Sequence, residues 1–104
     1  MQSPHPIIQP FLDYLKFEKR FSQHTVIAYQ TDLIAFFDYL HTAYDTIPLN
    51  QLSHVYIRSW LALLKDDGIT AKSINRKIST LRSFFKYQVK TGVLKQTPMV
   101  KIAA

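Results

Sequence analysis

With 104 residues, 47% of them apolar, only two glycines and no cysteine, the chain excludes a disulfide scaffold, a thiolate metal centre and a low-complexity disordered segment. It suits one domain that buries roughly two-thirds of its unfolded surface. Its net charge of +6 is unevenly placed: residues 1–67 hold five Lys or Arg against all seven acids (net −2), whereas Gly68 onward holds eight cations and no acid (net +8).

A positive field concentrated in the last third favours a polyanionic partner, either nucleic acid or an anionic membrane surface. A solvated basic helix with no partner has the same composition. Met1 to Pro10 carries no basic stretch followed by an apolar one, and no segment approaches the ~20 apolar residues that span a bilayer. A soluble, unexported, cytoplasmic protein is the expectation.

Apolar residues recur at helical spacing in four stretches, with no sustained alternation that would predict a strand, so the fold class is all-α. The first stretch puts Ile7, Ile8, Phe11, Leu12 and Leu15 on one face and runs to about Arg20, with Pro10 tolerable only near its first turn. Ser22 then offers an N-cap, since its hydroxyl can accept from a free first-turn amide. The helix that follows has Val26, Leu33, Phe37, Leu40 and Tyr44 as its predicted buried stripe and ends near Tyr44, because Ile47-Pro48-Leu49 cannot continue it. Ser53 caps a third helix with Ile57, Trp60, Leu61 and Leu64 at i, i+3, i+4 and i+7, stopped by Asp66-Asp67-Gly68. Thr70 caps a fourth, with Ile74, Ile78, Leu81, Phe85 and Val89 inward and Gly92 closing it. Its opposite face collects Lys72, Arg76, Ser79, Ser83, Lys86 and Lys90.

Residues 1–92 thus read as one helical domain. Residues 93–104 show no periodicity and contain Pro98, which predicts a linker towards a further domain absent from this chain.

Leu61 through Gly68 to Arg76 fits a helix-turn-helix, with Thr70, Lys72, Ser73, Asn75 and Arg76 at the start of a recognition helix. The same signature describes many purely structural hairpins. The residue types favour DNA: Arg and Lys can pair with phosphate or guanine, Asn with adenine, and Ser or Thr with phosphate oxygens. Ser22, His24 and Thr25 form a second polar helix start, or else a plain cap beside a solvated histidine. The four histidines lack metal-ligand spacing. Most of the six tyrosines and seven phenylalanines fall on or beside the buried stripes, so they read as core and not as a base-stacking platform. No nucleophile elbow, phosphate-cradling loop or spaced carboxylate pair appears, so neither catalysis nor a cofactor is expected.

Phe21-Ser22-Gln23-His24-Thr25 with Tyr29 and Leu33, followed by Lys72-Ser73-Ile74-Asn75-Arg76-Lys77-Ile78-Ser79-Thr80-Leu81-Arg82-Ser83-Phe84-Phe85, resembles the N-terminal core-binding domain of tyrosine recombinases, the phage-integrase and Xer group. The resemblance runs from about Phe11 to Pro98. It implies a SAM-like bundle of four to five helices in two crossed hairpins, forming half of a clamp around DNA. It also implies DNA contacts by Ser22, His24, Thr25 and Thr31 on the second helix and by Lys72, Ser73, Asn75, Arg76, Lys77 and Thr80 on the fourth. The implied partners are duplex DNA, a C-terminal catalytic domain of the same parent chain, and other recombinase protomers on DNA. The family's nucleophilic tyrosine belongs to that catalytic domain, so none of the tyrosines here takes its role. One departure is Thr97-Pro98, where the family often has Asn-Pro. Two readings of other classes compete: a basic helical module docking an acidic protein, and peripheral membrane binding, against which stands the lack of a free apolar face.

Overall fold

The computed structural model describes residues 6–102; the expectations for Met1–His5 and for Ala103–Ala104 lie outside the described residues. Four α-helices and no strand make up the described chain. α1 (Ile8–Asp13) passes directly into a wider π-helical turn (Tyr14–Glu18), closed where the Lys19 amide donates to the Tyr14 carbonyl at 3.1 Å. α2 spans Gln23–Tyr44, α3 His54–Asp66 and α4 Ala71–Lys90, with a short 3-10 turn (Leu49–Gln51) before α3.

The boundaries follow local chemistry. Ser22, Ser53 and Thr70 each hold extended backbone and accept from a first-turn amide, those of Thr25 (3.2 Å), Val55 (3.3 Å) and Ser73 (3.2 Å). α3 and α4 end alike. Gly68 and Gly92 both adopt φ +84°, and the amides of Gly68 and Ile69 return to the carbonyls of Lys65 and Leu64, as those of Gly92 and Val93 do to Val89 and Gln88. That pairing of two crossed bonds satisfies carbonyls the helix itself cannot, and it needs the left-handed backbone that glycine adopts without strain.

α2 is central: it touches α1, α3 and α4, while α4 also packs on α3. The core joins Ile8, Phe11, Leu12 and Leu15 to Leu33, Phe36 and Leu40, to Ile57 and Trp60, and to Ile78, Leu81, Phe84 and Phe85. Aromatic edges knit it, with Phe84 meeting Phe11 at 5.5 Å and Phe37 at 5.6 Å between centroids, and Phe36 meeting Trp60 at 5.2 Å. The aromatic residues are thus largely core, as expected. Two predicted stripes need correction. On α2, Phe36 is buried, Phe37 and Val26 only partly so, and Tyr44 is exposed; on α4, Phe84 joins the stripe. Tyr44 and Tyr39 instead direct their hydroxyls to Ser59 on α3, the former at 2.9 Å.

Residues 93–102 are irregular, as their lack of periodicity predicts, yet they do not hang free as a linker would. Leu94, Met99 and Ile102 are buried in the core. Arg58 on α3 donates to the Lys101 carbonyl at 2.9 Å, and Arg82 on α4 donates to that of Ile102. The segment is a strap, held by three apolar side chains and two arginines.

Candidate nucleic-acid interface

The N-terminal halves of α2 and α4 pack around a groove of about 310 Å³, lined by His24, Thr25, Ala28, Tyr29 and Asp32 from α2 and by Arg76, Ser79 and Thr80 from α4. Each helix starts with the same arrangement. The Ser22 and Thr25 hydroxyls hydrogen-bond at 3.0 Å on α2, and Thr70 Oγ1 donates to Ser73 Oγ at 3.2 Å on α4. Both starts leave first-turn amides available to an anion, with hydroxyls beside them that can rotate to donate.

Beneath the groove the two helices are joined by charge. Asp32, buried on α2, accepts through Oδ1 from Arg76 Nη2 and from Lys77 Nζ, each at 2.8 Å, and through Oδ2 from Thr80 Oγ1 at 3.1 Å. The Lys77 side chain is only 14% exposed, whereas that of Arg76 is 55% exposed and edges the groove.

The expected contact residues therefore divide. Ser22, His24, Thr25, Thr31, Lys72, Asn75 and Arg76 are exposed, and Ser73 is partly so. His24, Thr25 and Arg76 meet in the groove, while Lys72, Ser73 and Asn75 stand at the α4 start and Thr31 lies outside the groove lining. Lys77 and Thr80 stand apart from the others: both turn inward to Asp32, because a buried carboxylate must be met by donors. Arg76 is likewise no plain outward cation, since one of its nitrogens is committed. Asp32, Tyr29 and Ser79 are the additions. Asp32 could have been found, because it sits at helical spacing between Tyr29 and Phe36, on the face that carries the core. The outward stripe of α4 continues as expected through Ser83 and Lys86 to Lys90, whose ammonium lies 5.2 Å from the Tyr14 ring centroid.

Among the described residues, no group of three or more His, Cys, Asp or Glu side chains could hold a metal, and no helix is long and apolar enough to cross a membrane.

An all-α domain with four helices and a cation-edged groove between α2 and α4 is the class that fold and site define. The chain belongs to the phage integrase N-terminal SAM-like domain family, whose family model matches residues 8–92. It is 34% identical over 103 residues to a tyrosine recombinase XerC of Leptospira interrogans, covering 98% of this chain and 32% of that protein. It is 34% identical over 96 residues to a tyrosine recombinase XerD of Listeria monocytogenes (92% and 32%) and 37% identical over 97 residues to a XerC of Alcanivorax borkumensis (93% and 30%). The chain thus spans about a third of the length of these curated relatives. No solved structure matches it significantly.

Proposed function

We propose that this chain is the DNA-gripping module of a site-specific tyrosine recombinase, acting in the cytoplasm and holding duplex DNA while a catalytic domain of the parent protein cleaves and rejoins it. One observation carries the reading: the α2 start, with His24 and Thr25, shares one groove with the exposed Arg76 guanidinium of α4, and the α4 start just before Arg76 carries the same hydroxyl pair, Thr70 and Ser73, as Ser22 and Thr25 on α2. An anion-accepting helix start matches a phosphate, and an arginine across the groove from it matches a base edge or a second phosphate. In this reading Ser22, Thr25, Thr31, Lys72 and Ser73 meet the backbone, His24, Asn75 and Arg76 face the groove of the duplex, and Lys77 and Thr80 act from behind. Other protomers on the same DNA and the parent's catalytic domain are the protein partners.

Fluorescence-anisotropy titration with a random-sequence duplex at several salt concentrations tests it. The expected affinity is modest, ~10⁻⁴ to 10⁻⁶ M near physiological salt, with log K falling linearly against log salt. No covalent DNA adduct should form. Absence of binding at low salt, with equal binding to an acidic polypeptide, would favour the protein-docking alternative.

A further inference from the structure

We propose that Asp32 is a positioning residue that presets Arg76 for contact with the duplex; the proposal rests on the DNA-binding reading above. By charge alone, an acid beneath a DNA-binding groove weakens affinity for a polyanion. The geometry argues otherwise. A single carboxylate faces two cations, so the cluster keeps one net positive charge, and the two cations differ in exposure: Lys77 at 14% lies inside, Arg76 at 55% faces out. Lys77 balances Asp32 from within, and Arg76 carries the remaining charge to the surface.

A guanidinium has five N–H donors in one rigid plane. The 2.8 Å bond from Nη2 to Asp32 commits that nitrogen, holds the direction of the plane and leaves donors on the other nitrogens for a ligand in the groove shared with His24, Thr25 and Ser79. Thr80, donating to the second oxygen at 3.1 Å, stops the carboxylate from rotating. Without this support Arg76 would be a free rotor on a helix surface, and ordering it would fall on the binding step.

The test is a thermodynamic cycle on duplex affinity, read by fluorescence anisotropy on the full chain at fixed salt. Asp32→Asn is nearly isosteric and raises the net charge by one, so electrostatics alone predicts tighter binding. Positioning predicts a loss of about three- to ten-fold, the span set by immobilising one flexible side chain. In an Arg76→Ala background, Asp32→Asn should cost no affinity, because no fork remains to be held and only the gain in charge is left. The double variant Asp32→Asn/Lys77→Met keeps the parent's net charge and leaves no unpaired ammonium inside, so it replaces the single variant should circular dichroism find that one unfolded. It should show the same three- to ten-fold loss. Affinity at or above the parent's in either folded variant, or an equal loss with Arg76 already removed, would overturn the positioning role. Failure of the parent chain itself to bind duplex at low salt would remove the reading beneath it, and the inference with it.

Discussion

Lys77 and Asp32 meet at 2.8 Å with 14% and 1% of their side chains exposed, so α2 and α4 are joined by a nearly dry ion pair. A charged hydrogen bond in such a place contributes about 1.5–3 kcal/mol, and losing one partner leaves the buried carboxylate less well met. Lys77→Ala is expected to lower the unfolding free energy by about that amount in urea titration. Because the ammonium faces inward, the salt dependence of DNA binding should change by less than one phosphate's share.

Lys72 offers the contrasting case. It is exposed in the first turn of α4 and has no carboxylate partner among the described residues, whereas Lys65 sits in the last turn of α3 just ahead of Asp66 and Asp67. Lys72→Ala should reduce the slope of log K against log salt by about 0.9, the share of one neutralised phosphate, and leave stability within about 0.5 kcal/mol. Lys65→Ala should leave the slope unchanged. Identical slopes for both variants and the parent would mean that α4 does not face the DNA.

The strap bears on where the folding unit stops. The family model ends at residue 92, but Leu94, Met99 and Ile102 are buried beyond it. Burying each such side chain stabilises by about 1.5–3 kcal/mol, and a domain of this size has only about 5–15 kcal/mol in all. A chain ending at Gly92 should therefore melt well below the 104-residue chain by circular dichroism. Equal melting temperatures would mean that the strap merely rests on the bundle.

Gln88 predicts a change in the opposite direction. Its side chain is buried, and its Nε2 has no partner among the described residues. A buried donor left unmet costs about 1–3 kcal/mol. Gln88→Met keeps the length and removes the donor, so it should stabilise by about 1 kcal/mol, a rise of about 4–8 °C by calorimetry. The backbone bonds from Val93 and Leu94 to the Gln88 carbonyl are untouched by the change.

What could be read in advance was what depends on near neighbours. Ser22, Ser53, Thr70, Gly68 and Gly92 act within their own turn, so helix number and ends were legible, and with them the exposed helix starts bearing Ser22, His24, Thr25, Lys72, Asn75 and Arg76. Phe36 escaped because α2 packs on three helices and buries more than the single stripe a surface helix shows. Asp32 and Thr80 escaped for a different reason: spacing puts Asp32 on the core face, but its partners lie 44 to 48 residues away in sequence, and no local pattern tells which donors will meet it. The strap escaped because irregular backbone can be buried without any period.

That strap ties two helices at neighbouring points. Arg58 reaches Lys101 from α3 and Arg82 reaches Ile102 from α4, so consecutive carbonyls are held by different elements. Tension applied at the C-terminal end would load α3 and α4 together through the two arginines, before it could peel either helix away turn by turn.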